Sequence, residues 1–445
     1  MNDDLAAAVE AQFPEMQEAL ADLVRIPSVS AKGFDSQEVI RSAHAVADLF
    51  RNTGTPDEVK LLEVEGGHPA VYARYPGPAG APTILLYAHH DVQPPGPAEE
   101  WTTGPFEPFI KDGRLYGRGA SDDKAGVILH TGAIKAFAGD LPVTVKLFVE
   151  GEEEMGSDHL AEILDKYADD LAADVIVIGD SGNWRTGEPA LTTSLRGVVS
   201  IAIEVRTLAA ALHSGEFGGV FPDALMSLAR LLATLHDDEG NVAVPGLVSN
   251  EVDGLDMGED ELRSLMKPVA GLEMIGSGRL TSRVWTKPCI SVLAIDAPAV
   301  KESINQLVPV ARARVSLRIA PGQDGAAAME ALTQHLLANA PWGAEVKVTD
   351  AGFGEAYSAD TNGPAFDAFR TGFKEAFGIE AVDMGMGGSI PFVADFQKRY
   401  PGRPIVLMGP GDPPASIHAP NESQDLSDLK RIILAEAIAL RVLGV

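Results

Sequence analysis

The feature that most constrains the fold is a run of apolar residues at 84–91 that ends in two histidines and an aspartate. A continuous apolar run of this length is typical of a strand that is buried on both faces of an α/β sheet. His89, His90 and Asp91 then lie at the carboxyl end of the strand, where open α/β sheets place their ligand sites. Because side chains alternate along a strand, His89 and Asp91 point to one side and His90 to the other. One of the two histidines can then bind a metal ion while Asp91 orients it.

Polar groups also follow the other predicted strands. The alternating strand at 143–149 precedes a glutamate triplet at 152–154, and the strands at 174–179 and 404–408 are followed by an aspartate and a histidine. A glycine-rich loop at 117–126 adds two aspartates before a helix. Two histidines and three carboxylates suit a two-metal site with a shared aspartate, holding zinc, manganese or cobalt. The candidate ligands are His89, Asp122 or Asp123, a glutamate of the triplet, Asp180 and His418.

Plainer structural roles compete with this interpretation. A lone buried histidine is usually a hydrogen-bonded core residue, and a run of charges is usually a solvated face. One of the two aspartates in the loop is also well placed to be a helix N-cap. What favours a metal site is that several such groups follow strands.

Composition narrows the class of protein. A chain of 445 residues predicts two domains, or one domain with a large insertion. The formal net charge of −29 argues against a nucleic-acid or anionic-membrane partner. A single cysteine, Cys289, excludes an intramolecular disulfide framework. Since the acidic amino terminus has no signal-peptide pattern and no apolar run approaches the roughly 20 residues of a membrane span, we expect a cytoplasmic protein.

The order of predicted elements indicates an α/β protein with an inserted domain. Residues 1–195 and 351–445 form the two parts of a catalytic domain, whose mixed sheet is flanked by helices and carries the two-metal site. Between them, residues 196–350 follow the order strand, helix, strand, strand, helix, strand, which is the plan of a ferredoxin-like α+β domain. The irregular section 238–286 has no place in that plan.

Taken together, the motifs resemble those of the M20 metallopeptidases, in their dipeptidase and carnosinase-like branch. The matching segments occur in the family's order, beginning with an Ile-Pro-Ser at 26–28 and extending nearly to the carboxyl end. They are Leu-Tyr-Ala-His-His-Asp-Val-Gln-Pro at 86–94, Gly-Arg-Gly-Ala-Ser-Asp-Asp-Lys at 117–124, Glu-Gly at 150–151, Glu-Glu-Met-Gly-Ser at 153–157, Asp180, Leu-His-Ser-Gly at 212–215, Gly-Gly-Ser-Ile-Pro at 387–391, and His-Ala-Pro-Asn-Glu at 418–422.

The resemblance implies a dipeptidase with two divalent ions, zinc first, with manganese or cobalt as alternatives. Asp122 would bridge the ions, Asp91 would clamp a ligand histidine, and Glu153 would be the general base that activates the water between the ions. One ion would be held by His89, Asp122 and Asp180, and the other by Asp122, Glu154 and His418.

The resemblance also implies a substrate site shared with the inserted domain. Arg318 would hold the substrate carboxylate, and Ser389 would meet the same end of the substrate. His213 would reach the oxyanion from the partner subunit of a homodimer, so that the inserted domain is both lid and dimerisation domain. From its neighbouring glycines alone, His213 is better explained as a turn residue, and an arginine on an alternating strand can face solvent.

One departure from the family and several alternatives stay open. Members of this branch carry an acidic residue just before the Gly-Gly-Ser-Ile-Pro segment, where this chain has Met386. The preferred substrate is a dipeptide with a free carboxylate, and the alternative is an N-acyl amino acid, cleaved by the same centre. A metal-binding module without catalysis and a two-metal phosphoesterase are further alternatives, although Glu153 is present and few cations are available for a phosphate.

Overall fold

The computed structural model describes residues 2–388 and 391–445. These residues fold into two compact units. The first unit comprises residues up to Thr193, Ala359–Met384 and Asp395–Val445, and the second comprises Ser194–Ser358 and Gly385–Ala394.

Helices and strands alternate along the first part of the chain and follow the predicted elements closely. The described α-helices are α1 (Asp3–Val24), α2 (Ser36–Arg51), α3 (Lys124–Lys135), α4 (Leu160–Lys166), α5 (Ala168–Leu171), α6 (Ser214–Phe217), α7 (Ala224–Ala233), α8 (Glu259–Met266), α9 (Leu280–Trp285), α10 (Gly325–Ala338), α11 (Pro364–Phe377), α12 (Pro391–Arg399) and α13 (Leu426–Leu443). The described strands are β1 (Glu58–Leu62), β2 (Ala70–Tyr75), β3 (Thr83–His89), β4 (Phe109–Lys111), β5 (Arg114–Tyr116), β6 (Thr144–Glu150), β7 (Val175–Ile178), β8 (Ala190–Leu195), β9 (Gly197–Arg206), β10 (Leu212–His213), β11 (Cys289–Asp296), β12 (Gln306–Leu307), β13 (Val310–Ile319), β14 (Glu345–Gly354), β15 (Tyr357–Ser358), β16 (Val382–Met386), β17 (Ile405–Leu407) and β18 (Ser423–Asp425).

The first unit is built on a mixed sheet in the order β1-β2-β6-β3-β7-β17-β8. At its centre β3 runs parallel to both β6 and β7, and β17 runs parallel to β7. The edge strands β1 and β2 are antiparallel to their neighbours. Because four adjacent strands point the same way, their carboxyl ends meet at one edge of the sheet.

Apolar side chains cover both faces of this sheet. Ile84, Leu86 and Ala88 of β3 belong to a core shared with α1, α2, α3, α11 and α13. On the alternate positions Tyr87 packs against Phe148 of β6 and Phe396 of α12, with ring centroids 5.6 and 5.9 Å apart. Burial on both faces explains why β3 is continuously apolar, and it confirms the predicted α/β class with a mixed sheet.

The second unit has a four-stranded antiparallel sheet in the order β11-β13-β9-β14. Helices α7 and α10 pack on it through a core of alternating residues such as Val199, Ile201 and Ile203. The chain order β9-α7-β11-β13-α10-β14 follows the ferredoxin-like plan. The section that the sequence could not place contains α8 and α9.

Among the described residues, no helix is long and apolar enough to cross a membrane.

Candidate metal centre

The candidate site lies in the first unit, at the edge where the parallel strands end. His89 is the last residue of β3, and Asp180 follows β7 by two positions. The other groups come from the connections between these strands and helices: Asp122 precedes α3, and Glu153 and Glu154 begin a short 3-10 helix, Glu153–Met155, that follows β6. His418 lies in the turn between β17 and β18.

Asp122 lies between the two histidines and directs one oxygen to each. Its Oδ1 is 3.0 Å from Nε2 of His89, and its Oδ2 is 2.9 Å from Nε2 of His418. Oε2 of Glu154 is 3.3 Å from the same nitrogen of His418. The peptide bond between Asp122 and Asp123 is cis. A carboxylate whose two oxygens face two imidazoles has the arrangement of a group that bridges two ions.

Asp91 is buried and hydrogen-bonded on both oxygens. Its Oδ1 is 3.3 Å from Nδ1 of His89, and its Oδ2 accepts a hydrogen bond of 2.6 Å from the hydroxyl of Ser30. The backbone N–H groups of Glu153 and Glu154 donate to the same carboxylate at 3.2 and 3.1 Å. Nδ1 of His89 also lies 3.1 Å from the backbone carbonyl oxygen of Asp91. Asp91 therefore fixes the ring of His89 with Nε2 facing the site, and its carboxylate also fixes the turn that carries the two glutamates.

The carboxylate of Glu154 is oriented by Gln93. The backbone N–H of Gln93 donates to Oε1 of Glu154 at 3.0 Å, and its side-chain amide donates to Oε2 at 2.8 Å. Glu153 has no such anchor among the described contacts of its side chain. Its Oε2 lies 3.9 Å from Nε2 of His89. The two neighbouring glutamates thus differ, since the amide of Gln93 holds Glu154 in place whereas Glu153 faces His89.

Asp180 and Asp123 are both close to His89, but their surroundings differ. Asp180 Oδ2 is 3.9 Å from Nε2 of His89. Single ligand atoms of His89, Asp123 and Asp180 lie within 4.8 Å of one another, and those of Asp122, Glu154 and His418 do so too. Asp123, however, accepts the backbone N–H groups of Gly126 and His89 at 3.2 and 3.1 Å and is the N-cap of α3. Because both oxygens of Asp123 already serve the backbone, Asp122 is the better candidate for the shared ligand.

Close packing of acids and imidazoles shifts the pKa values of the site. Hydrogen bonds to Asp122 and Glu154 raise the pKa of His418 to about 10. Burial tends to raise the pKa of Asp122, but hydrogen bonds from His418 and His89 outweigh it and lower the pKa. Burial raises the pKa of Asp180 to about 7 and the pKa of Glu153 well above its ordinary value. The carboxylate of Glu153 therefore holds a proton more tightly than an exposed glutamate does, as a group that accepts a proton from water must.

The predicted substrate-binding residues lie in the second unit or outside the described residues. Arg318 is half-buried on β13. His213 is exposed, and its Nδ1 accepts hydrogen bonds of 3.2 Å from the backbone N–H groups of Gly215 and Glu216. Ser389 lies outside the residues that the structure describes. Met386, the residue at which this chain departs from the family pattern, is half-buried at the end of β16.

Several residues of the site carry no assigned role in the sequence prediction. They include Ser30, Gln93 and Glu422, which orient the predicted ligands or their loops. The motifs contain these residues, but a motif does not indicate which backbone groups a side chain will contact.

An α/β sheet whose strand ends gather histidines and paired carboxylates defines a class of metal-dependent hydrolases. The profile of peptidase family M20/M25/M40 matches residues 85–440. The chain belongs to this family, which confirms the predicted resemblance, and it is a hydrolase.

Two curated relatives and one solved structure illustrate the similarity. The cysteinylglycine-S-conjugate dipeptidase of Corynebacterium striatum is 36% identical over 371 residues, which are 82% of this chain and 82% of that protein. The β-Ala-His dipeptidase of Rattus norvegicus is 28% identical over 412 residues, which are 86% of this chain and 84% of that protein. The crystal structure of human carnosine dipeptidase 1 superposes with a TM-score of 0.81 at 25% identity, covering 100% of this chain and 99% of that one.

Proposed function

We propose that this protein is a metallodipeptidase that hydrolyses the peptide bond of dipeptides with a free carboxylate. The observation that carries the proposal is the placement of Asp122, whose two oxygens face His89 and His418 within 3.0 Å. Oε2 of Glu153 lies 3.9 Å from Nε2 of His89. The relatives named for the hydrolysis of cysteinylglycine conjugates and β-Ala-His support a dipeptide as substrate.

The residues present fit two divalent ions. The first ion would be held by His89, Asp122 and Asp180, and the second by Asp122, Glu154 and His418. Imidazole nitrogens and carboxylate oxygens are suitable ligands for zinc, which we favour, and for manganese or cobalt. When bound, the ions supply a Lewis acid for the substrate carbonyl and lower the pKa of water.

The protein's own acid–base chemistry centres on Glu153. Its carboxylate accepts the proton of the attacking water and returns it to the leaving amine. Asp91 supports this role because it holds the backbone of Glu153 and the ring of His89 with one carboxylate. The same contacts keep base and ligand in a fixed relation while the proton moves.

Substrate recognition is the part of the proposal that involves the second unit. Arg318 offers a guanidinium for the free carboxylate, and Ser389 would bind the same end. His213 accepts two N–H groups on Nδ1, which leaves its ring proton on Nε2. That N–H can donate to a developing oxyanion. We propose that the partner subunit of a homodimer supplies this group and that the second unit is both lid and dimerisation domain. A cytoplasmic location stays a prediction.

The test is amide hydrolysis by the zinc-loaded protein, with free dipeptides compared with matched N-acetyl amino acids. Cysteinylglycine and β-Ala-His belong in the dipeptide set. Turnover of free dipeptides is the expected result. Turnover mainly of the acetylated compounds would assign the chain as an N-acyl-amino-acid amidohydrolase, and no turnover of either by a protein with two bound ions would refute both assignments.

A further inference from the structure

Glu422 has a buried carboxylate with an unusual number of donors. Its Oε1 accepts the backbone N–H groups of Ser121 and Asp122 at 2.9 and 3.0 Å. Its Oε2 accepts Nη1 of Arg118 at 2.6 Å and the N–H of Gly119 at 3.1 Å. Each carboxylate oxygen therefore serves two donors, and three of the four donors belong to the backbone of one loop.

That loop is the one that carries the shared carboxylate of the candidate metal centre. Glu422 itself lies four residues after His418, and its partner Asp122 is 300 residues away in the chain. A further hydrogen bond joins the N–H of Gly117 to the carbonyl oxygen of Glu422 at 2.9 Å. Two sets of contacts thus join the loops of Asp122 and His418: the hydrogen bonds of Glu422, and the direct contact between Asp122 and His418.

The ion pair of Glu422 and Arg118 is buried. Glu422 is fully buried and Arg118 is 1% exposed. The guanidinium carbon of Arg118 lies 5.6 Å from the ring centroid of Trp101. Asn421, next to Glu422, accepts the N–H of Thr102 at 2.8 Å and so holds the same turn from its other side. A buried ion pair needs its hydrogen bonds because an unpaired charge at such a position costs several kcal/mol.

We propose that Glu422 is a positioning residue that assembles the loop of Asp122 on the loop of His418 before any metal ion binds. This inference rests on the proposed metal centre, since it assigns Glu422 to the relative placement of two of its ligands. All contacts involved lie within the first unit and join protein groups to one another.

Hydrogen exchange in the metal-free protein tests the order of events directly. We expect the amide protons of Ser121 and Asp122 to exchange slowly in the presence of EDTA and to change little when zinc is added. Exchange at unprotected rates in EDTA, with protection only after zinc binds, would show that the ions and not Glu422 assemble the loop. This measurement needs no variant and no catalytic activity.

Substitution of Glu422 by glutamine tests the effect on metal binding. The amide group of a glutamine would place a donor against either the Ser121 and Asp122 pair or the Arg118 and Gly119 pair, and rotation of the amide cannot satisfy both. We expect the dissociation constant for zinc to rise at least about tenfold in Glu422→Gln. Zinc titration by calorimetry measures the affinity, and circular dichroism checks the fold.

A matched control separates positioning from general stability. Glu436 is also a buried carboxylate, and both of its oxygens lie within 3.0 Å of Nδ1 of His130 in α3. Glu436→Gln should lower the melting temperature but leave zinc affinity within about twofold, since its partner among the described contacts lies in a helix and not in a loop that carries a proposed ligand. Equal zinc affinity in Glu422→Gln and the unmodified protein would overturn the proposal. If the unmodified protein bound no zinc, the proposed metal centre would fail, while the exchange experiment would still decide whether Glu422 assembles the loop.

Discussion

Three consecutive glutamates follow β6, and each carboxylate has a different neighbour. Glu152 accepts the N–H of His68 at 2.9 Å and lies 2.8 Å from Nδ1 of His159. Glu154 is held by an amide side chain, as described above. Only Glu153, among these three, faces the candidate metal centre without a hydrogen-bonded partner among its described contacts. At the scale of single residues, the proposed proton carrier therefore differs from its two neighbours in its surroundings and not in its chemical type.

Glu153→Gln should lower kcat for dipeptide hydrolysis by about 10²–10⁴, because the amide cannot accept the proton of water. Zinc content should stay unchanged, since the substitution leaves the proposed ligands in place. Steady-state kinetics and metal analysis on the same sample check both statements. Glu152→Gln is the matched control and should stay within a few-fold of the unmodified protein. A Glu153→Gln variant that keeps full activity would exclude this residue as the base.

Another glutamate, Glu150, is the last residue of β6 and is buried. Its Oε2 accepts a hydrogen bond of 2.7 Å from the hydroxyl of Tyr87. Burial raises the pKa of Glu150 to about 7, well above the ordinary 4.5 of a glutamate. The folded protein thus keeps a proton on Glu150 at pH values where the unfolded chain has lost it. Its contribution to stability is present below about pH 4.5 and is lost as the pH rises through about 7.

Glu150→Gln should remove this pH dependence. Relative to the variant, we expect the unmodified protein to lose roughly 3 kcal/mol of unfolding free energy between pH 4.5 and 8, from a shift of about 2.5 pKa units at 1.36 kcal/mol each. Denaturant unfolding of the metal-free proteins at several pH values measures the difference. A constant difference across that range would show that Glu150 titrates normally in the folded state.

At the scale of elements, α11 and α13 approach each other so closely that one position admits only glycine. A β-carbon on Gly372 would lie 2.1 Å from the carbonyl oxygen of Ala435. Replacing a glycine inside a helix by alanine normally stabilises the helix by about 1 kcal/mol. The contact with Ala435 reverses that expectation, because the two helices would have to move apart in a close-packed core.

Gly372→Ala should therefore destabilise the protein, by about 1–3 kcal/mol. Thr371→Ala, at the neighbouring position of the same helix, is the control and should have a much smaller effect because Thr371 is half-buried and bonded only to its own helix in the contacts described. Thermal unfolding of both variants provides the comparison. Stabilisation by Gly372→Ala would mean that the two helices are packed less closely than the structure indicates.

The sequence predicted elements better than it predicted burial. The apolar runs of β3 and β17 are both found where the pattern placed them. In β6, by contrast, alternation suggests a solvated face, yet every residue after Thr144 is buried. Lys146 is accommodated because its ammonium donates to the carbonyl oxygens of Asp169 and Ala172. A local pattern cannot reveal such partners, since they come from another segment of the chain.

For the candidate site, too, the sequence did not reveal which distant groups a side chain contacts. Sequence motifs identified the groups that converge at the strand ends, because residue type and position after a strand carry that information. They did not identify Glu422 as the acceptor for the loop of Asp122, since its donors are backbone N–H groups that every residue type shares. The distinction between Asp122 and Asp123 likewise depends on which of them caps α3.

At the scale of the whole molecule, the proposed centre concentrates negative charge in a chain that already carries −29. Asp122, Glu153, Glu154 and Asp180 lie around two imidazoles and come from three separate segments of the chain. Like charges held this close oppose folding unless protons or cations compensate them. Divalent ions would relieve this repulsion and join the segments, so metal binding should stabilise the first unit.

Removal of metal should accordingly lower the melting temperature. Zinc at 100 times its dissociation constant adds about 2.7 kcal/mol per site, which corresponds to several degrees for a unit of this size. Scanning calorimetry with EDTA and with zinc measures the shift.

His418→Ala should lose part of the zinc-dependent shift in melting temperature, because it removes one ligand of the second proposed ion and leaves His89 in place. In hydrogen exchange, zinc should slow the exchange of amide protons in the first unit only. Exchange rates in α10 of the second unit should stay unchanged, since none of the proposed ligands lies in residues 194–358. Equal melting temperatures with zinc and EDTA would contradict a structural contribution of the ions and, with it, the proposed set of ligands.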